Sequence, residues 1–395
     1  TCALPISVSP DGGHAFVTHI LARYTLHTSQ LEQGWMNTNA LTILDVSGQR
    51  VRATVLLDDV DDGAANPWAV ACTPDSKYVC VTHAGTHELS VIRLPELLDR
   101  LRRDGGDPSN RLSYLLGLRR RVPLPGIGPR SLAVAANHAW VAEHFSGSIA
   151  KVRLYEPSPP EPIAIGAGRE LTEAQRGEMH FNDARFCFQR WQSCASCHPD
   201  GRADALNWDL LNDGLGNPKN TRSLVNSHRN DAVMWTGVRP STEYAIRSGI
   251  RHIQFSQPQE AEAIAIEAYL RKLRPVPGAA DKEAVNRGRK LFFRADVGCA
   301  ACHPPPLYTD NRKHDVGTHG AFDVTFDGSD RRVPQTEFMT PTLVEVWRTA
   351  PYLHDGRFAT LEETVGPGNA QGLRGRTAHL SREQLRDLIA FVASL

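Results

Sequence analysis

The chain carries no excess of charge of either sign, with 44 Lys and Arg against 44 Asp and Glu. This argues against a nucleic acid or an acidic membrane held by bulk charge. No apolar run reaches the roughly 18 residues of a membrane span. Cysteine is scarce, eight in 395 residues, which is too few for a disulfide scaffold. The first residue is Thr1, not Met, and no basic stretch leads into an apolar one, so no secretion signal is visible. Ala3-Leu4-Pro5-Ile6 reads like the translation of a sequencing adapter. The next segment also opens partway through a repeat, so the first half-dozen residues are expected to be an artefact and the true start to be lost. What remains is ordinary for a soluble globular protein: 41% apolar and 22% charged residues. The length suggests two or three domains.

Residues 7–158 contain a pattern that recurs three times. Ser7-Val8-Ser9-Pro10-Asp11-Gly12 precedes Ala15-Phe16-Val17-Thr18. Trp68 to Asp75 precedes Tyr78-Val79-Cys80-Val81-Thr82, and Ser131 to Ala135 precedes Ala139-Trp140-Val141-Ala142. Each is an alternating strand, a polar turn and a second alternating strand. A further strand follows at 41–45, 89–93 and 148–152. Pro-Asp with a following Gly or Ser supplies the turn. The pattern resembles YVTN-type β-propeller repeats. The longer spacing is accounted for by insertions around 21–38 and 98–122. About three blades are present where a closed propeller has four to eight, so a partial propeller serving as scaffold is expected. Arg102-Arg103 and Arg119-Arg120-Arg121 read as solvated loop residues, and Cys72 and Cys80 as buried small apolar ones.

Two motifs carry the chemistry: Cys194-Ala195-Ser196-Cys197-His198 and Cys299-Ala300-Ala301-Cys302-His303. Cys-x-x-Cys-His is the attachment signature of c-type haem. Two thiols add across the haem vinyl groups, and the adjoining His reaches the iron. At this composition one chance copy is expected roughly 0.006 times per chain, so two accidental copies are excluded. Zinc sites built from paired Cys-x-x-Cys have about 15–20 intervening residues, far fewer than separate these two motifs. The spacing of the motifs suits one small cytochrome unit each. Helical patterns precede them at 172–191 and 281–294. Others follow at 261–273 and from a capping box at Ser381 and Gln384. Pro275-Val276-Pro277-Gly278 breaks the chain between the units.

Residues 170–395 resemble the bacterial di-haem cytochrome c peroxidase family, which includes MauG-type enzymes. The marks are Asn220-Thr221-Arg222-Ser223-Leu224-Val225-Asn226, Met234-Trp235-Thr236-Gly237-Val238-Arg239, Thr340-Pro341-Thr342-Leu343, and Ala350 through Glu363. The expected architecture is therefore multidomain: a partial all-β propeller at 1–158, then two mainly α-helical cytochrome c-like domains at 168–275 and 281–395. The resemblance implies two covalent c-type haems. The one on His198 would react with hydrogen peroxide, and the one on His303 would exchange electrons with a donor protein such as a small cytochrome or cupredoxin. It implies that Trp235 lies between the haems and that Asn220, Thr340 and Pro341 form a calcium site. It places Arg251, His252 and Gln254 on the distal side of the first haem, where a proton must move between the peroxide oxygens. Alternation would put His252 and Gln254 on one face. Arg202, Asp204 and Asn207 are expected to order the loop after the first motif, and Cys187 to be a buried thiol.

The chain departs from the family twice. No His occupies Asn212-Asp213-Gly214, where the family often carries a distal one. Gly366-Pro367-Gly368 stands where a Met or Tyr ligand is usual, with His379 the nearest substitute. Covalent haem is generally assembled outside the bacterial cytoplasm, so the periplasm or another extracytoplasmic location in a bacterium is expected. The alternatives to a peroxide-using enzyme are a non-catalytic di-haem electron carrier and a propeller-based redox sensor or binding module.

Overall fold

The computed structural model describes residues 5–27, 29–30, 35–166, 170–210, 216–326, 329 and 331–395. Most of the suspected adapter sequence and the Asn212-Asp213-Gly214 stretch lie outside them. The chain forms two compact units. The first comprises the described residues of 1–23, 29–196 and 249–266, and the second those of 24–28, 197–248 and 267–395. The segment leading to the first motif, expected to begin a separate haem domain, thus clusters with the N-terminal strands.

In the first unit three successive four-stranded antiparallel sheets follow chain order. They are β1 (Ile6–Val8), β2 (His14–Ala22), β3 (Asn37–Asp45) and β4 (Arg50–Leu56); β5 (Pro67–Cys72), β6 (Tyr78–His83), β7 (Glu88–Arg93) and β8 (Arg119–Pro123); and β9 (Pro129–Ala135), β10 (His138–Glu143), β11 (Ser148–Arg153) and β12 (Glu161–Ala164). The Pro-Asp turns repeat their chemistry. His14 N donates to Ser9 Oγ at 2.9 Å, and Tyr78 N to Thr73 Oγ1 at 2.9 Å. Asp11 and Asp75 then accept from Gly13 N and Lys77 N.

Strand periodicity sorts the middle sheet into two cores. Val79, Val81 and Ile92 pack with Phe16, Leu41, Ile43 and Val55. Cys80, Leu89 and Val91 face the other way, against Val122, Ala139, Val141 and Val152. A sheet covered on both faces reads as a continuous apolar run, and residues 88–92 are all buried. The second insertion holds helix α1 (Leu94–Asp104), which lays Leu94, Leu97 and Leu101 on the first core.

The triple-arginine cluster is not a solvated loop. It forms β8, and its first and last members turn inward. Arg119 meets Asp59 at 2.5 Å, while Arg121 reaches Asp59 at 3.0 Å, Asp62 at 3.1 Å and Glu88. Facing carboxylates, not solvent, account for these charges.

The helical reading at 172–191 is shortened. Helix α2 spans Glu173–Phe181, capped by Thr172 and Gln175, and two 3-10 turns follow at Ala184–Phe186 and Phe188–Arg190. Gln189 and Arg190 adopt positive φ of 51° and 59°, which no α-helix accommodates. The first attachment turn is α3 (Cys194–Cys197). Helices α4 (Thr242–His252) and α5 (Glu260–Lys272) follow.

In the second unit α6 (Lys282–Phe292), the second attachment turn α7 (Cys299–Cys302), α8 (Leu361–Val365) and α9 (Arg382–Ala393) surround a core of Leu291, Phe292, Val297, Val346, Leu388, Phe391 and Val392. The Ser381–Gln384 capping box of α9 is present. Two loops of this unit repeat each other at a constant offset of 119 residues (Met234 to Leu353). Met234 and Leu353 have φ of 72° and 73°, Gly237 and Gly356 have 64° and 65°, and Asn226 and Glu345 have 60° and 62°. Bridges Val233–Arg239 and Tyr352–Phe358 close both loops. The loops also exchange bonds reciprocally: Asn220 N donates to the His354 carbonyl at 2.7 Å, and Met339 N to the Trp235 carbonyl at 2.8 Å. The two halves are thus joined by a quasi-twofold contact.

Candidate functional site

Both Cys-x-x-Cys-His segments form a single helical turn that presents two cysteines and then a histidine. Among the described residues no cysteines pair. Burial pushes the Cys194 and Cys299 thiols up to about 11 and raises Cys302, which keeps them protonated as thiols. His198 Nδ1 is 3.0 Å from the Arg202 carbonyl, and His303 Nδ1 is 2.8 Å from the Tyr308 carbonyl. A ring nitrogen that donates to a carbonyl fixes the tautomer and leaves Nε2 as a lone pair for a metal. Burial pulls both imidazoles below their ordinary range, so they are neutral ligands near neutral pH. Space is provided too: a Cβ on Gly375 would stand 3.1 Å from Cys299 Sγ. The donor set fits covalent haem at both turns.

The loop after His198 is ordered as expected. Arg202 pairs with buried Glu345 at 2.9 Å and donates to the Asp200 and Arg274 carbonyls. Asp204 accepts from Leu206 N and Trp208 Nε1, and burial raises its carboxyl. Asn207 Nδ2 donates to the Asp355 carbonyl. Cys187 is a buried thiol pushed up to about 12.

The distal trio is not assembled. Residues 251 and 252 close helix α4, so helical rather than strand periodicity applies, and both side chains are exposed. Gln254 alone is buried. Its Nε2 lies 3.3 Å from Cys194 Sγ, and its Oε1 has no partner among the described residues.

Trp235 donates Nε1 to the Asn220 carbonyl at 2.7 Å. Its ring lies beneath the Arg222 guanidinium at 5.2 Å and edge-on to His354 at 6.4 Å. Arg222 donates to the Met234 carbonyl, and among the described residues no carboxylate pairs with it. Burial alone pulls its guanidinium down to about 10. Sequence reasoning singled out neither Arg222 nor the buried group beside it. His354 Nε2 is 2.9 Å from Asp323 Oδ2, Lys219 Nζ is 2.9 Å from Asp323 Oδ1, and Phe338 stacks on His354 at 3.8 Å. The signal was available, because His354 sits 119 residues after Trp235, in the same place of the repeated loop.

Trp235 thus joins Asn220 to the strand entering Thr340. Two backbone oxygens at the expected calcium position carry hydrogen bonds. The Asn220 carbonyl accepts from Trp235, and the Thr340 carbonyl from Thr309 Oγ1 at 2.7 Å. A cation would have to share both, and Pro341 is only partly buried. His379 Nε2 pairs with Asp296 Oδ2 at 3.0 Å on an exposed surface.

Residues 172–282 match the sequence model of the di-haem cytochrome c peroxidase family. The chain is similar to the hydrazine synthase gamma subunit of Kuenenia stuttgartiensis, 29% identical over 55% of this chain and 76% of that one. The beta subunit of the same enzyme is 28% identical over 37% of this chain and 39% of the subunit. The methylamine utilization protein MauG of Methylophilus methylotrophus is 25% identical over 67% of this chain and 93% of its own.

Proposed function

From the match of residues 172–282 to the di-haem cytochrome c peroxidase model, we propose that the chain belongs to that family and is a periplasmic di-haem oxidoreductase that reduces hydrogen peroxide or uses it to oxidise a partner. The observation that carries this reading is the pair of attachment turns, each with a neutral, tautomer-fixed histidine. Cys194, Cys197 and His198 would hold one haem, and Cys299, Cys302 and His303 the other. Bound there, the haems supply redox-active iron, and each peroxide reduced takes up two electrons and two protons. The chain's own residues do the rest. The Arg202 and Tyr308 carbonyls hold the two imidazoles. Arg222, a partly buried cation with no carboxylate partner among the described residues, suits a haem propionate. Gln254 offers a free buried acceptor beside Cys194, fit to orient a hydroxyl or water on the first haem's side. Trp235 occupies the quasi-twofold contact between the halves, where a relay would sit. The three N-terminal sheets we read as blades of a β-propeller.

Protein matured in a host that attaches c-type haem tests this. Two covalent haems per chain are expected, one of them high-spin and five-coordinate in the ferric state and fast with peroxide. Colourless protein, or two six-coordinate haems inert to peroxide, overturns the reading.

A second reading rests on one observation: the gamma and beta subunits that the chain is similar to are parts of one enzyme. On this reading the chain works within a larger assembly that forms hydrazine. Native mass measurement and assays for hydrazine against peroxide turnover separate the two readings.

A further inference from the structure

The N-terminal sheets hold the segment that enters the first attachment turn by a chain of buried side-chain bonds. Asp58, fully buried, accepts from Asn39 N, Asn39 Nδ2 and Ala64 N at 2.7, 2.8 and 2.7 Å. Asn39, fixed in this way, donates Nδ2 to the Trp191 carbonyl at 3.1 Å and accepts Asn66 N on its Oδ1 at 3.0 Å. Asn66 adopts a φ of 55°, a conformation that Asn tolerates better than most residues. Its side chain donates to Ser193 Oγ at 2.6 Å and accepts from Ser196 Oγ at 2.7 Å. Ser193 N closes the ring by donating to Ser196 Oγ at 3.0 Å. Asn37 reaches Gln192 Oε1 at 2.8 Å, Arg190 Nε reaches Asp62 at 2.8 Å, and Gly63 N donates to the Gln189 carbonyl at 2.7 Å. A Cβ on Gly63 would fall 2.4 Å from the Arg190 carbonyl, so the approach is backbone to backbone.

Ser193 and Ser196 flank Cys194. The matching places around Cys299 are Gly298 and Ala301, which have no hydroxyl to offer. The grip therefore belongs to the first turn only. Buried polar networks that are fully satisfied fix a single geometry, and a side chain that orients a ligand tunes the group it holds.

We propose that the sheets are the positioning element of the first attachment turn, with Asn66 gripping Ser193 and Ser196 on either side of Cys194, so that the geometry of the first haem, and not of the second, is set from the N-terminal strands. This rests on Cys194 and Cys197 carrying haem. It gives the sheets a part in the redox site instead of a separate binding role.

The test uses the full-length, haem-loaded protein. Ser196→Ala converts the first motif to the Cys-Ala-Ala-Cys of the second, and Ser193→Ala and Asn66→Ala remove the same bonds from other sides. In each, two attached haems are expected. The ferric resonance signal and midpoint potential of the first haem should shift, its rate of cyanide binding should change several-fold, and the second haem should serve as the unmoved control. Ser196→Thr, which keeps the hydroxyl, should restore the parent values. If Asn66→Ala fails to fold, the serine variants decide. Two haems with unchanged signals in Ser196→Ala and Ser193→Ala overturn the proposal and leave the haem reading intact, as does an equal shift of both haems. Fewer than two haems in the parent protein sinks the haem reading itself.

Discussion

At the scale of single residues, charge placement beside Trp235 decides most. Asp323 is buried against both His354 and Lys219. Its carboxyl is held well below the ordinary range, by hydrogen bonds from His354, Gly320 N and Lys219 that outweigh its desolvation. A depressed acid contributes its stability in full above its unfolded value of about 4 and loses it as pH falls below that. Asp323→Asn should therefore cost about 3 kcal/mol at pH 7, because the buried carboxylate charge that accepts from both His354 and Lys219 is lost. The gap in melting temperature between parent and variant should stay constant down to about pH 4 and narrow progressively below it. A gap that is constant with pH would contradict the ionic account. Asp58 runs the opposite way. Desolvation raises it to about 6 against its three donors. Its contribution to stability is present below about pH 4 and is lost as pH rises through about 6. Asp58→Asn should flatten that part of the stability profile, read by chemical unfolding at pH 4 and pH 7.

Among elements, α6 and α9 show how little slack the second unit has. A Cβ on Gly288 would lie 1.8 Å from the Asp387 carbonyl, and Arg287 pairs with the Asp387 carboxylate at 2.7 and 2.8 Å beside it. Gly288→Ala gains a little helix propensity but must separate the helices, so a net loss of about 3 kcal/mol is expected in urea unfolding. Gly356→Ala tests the repeated loop. With φ at 65°, the substitution should cost about 1–2 kcal/mol, whereas an exposed turn glycine free of strain would be neutral.

The elements also show what was legible in advance. The strands of 7–158 were, because period two and Pro-Asp turns are local signals. The fourth strand of each sheet was not. Strand β8 reads Arg-Arg-Arg, and only the facing Asp59, Asp62 and Glu88 make those charges compatible with burial. The attachment turns were fully legible, since thioether chemistry fixes residue order. The residues at 251–254 misled, because an alternating apolar pattern over so short a stretch equally suits the last turn of a helix. Likewise, Asn39, Asn66 and Asp58 carried no motif. The meaning of the two asparagines lies in partners more than 100 residues away in the chain, Trp191 for Asn39 and Ser193 for Asn66, and Asp58 serves by fixing Asn39.

For the whole molecule, the internal repeat frames the division of labour. Two matching loops meet through Trp235 and His354, and the chain carries two attachment turns whose surroundings differ: serines and a sheet network at the first, Gly298 and Ala301 at the second. Symmetric machinery with unequal surroundings is what two unequal redox roles require, because electrostatics and orientation around each iron set its behaviour. The roles can be separated by deleting one attachment at a time. With Cys299→Ala and Cys302→Ala together, one haem should remain, and a single addition of peroxide should still be consumed rapidly. Steady-state turnover with an electron donor should fall at least about tenfold, equivalent to ~1.4 kcal/mol on the barrier, if electrons enter through the second site as proposed. With Cys194→Ala and Cys197→Ala together, one haem should also remain, and the rapid reaction itself should vanish. Stopped-flow absorbance and steady-state assays on the two variants read both outcomes. Equal peroxide reactivity in the two would mean that the surroundings do not divide the work, and that the asymmetry of the attachment turns serves folding alone.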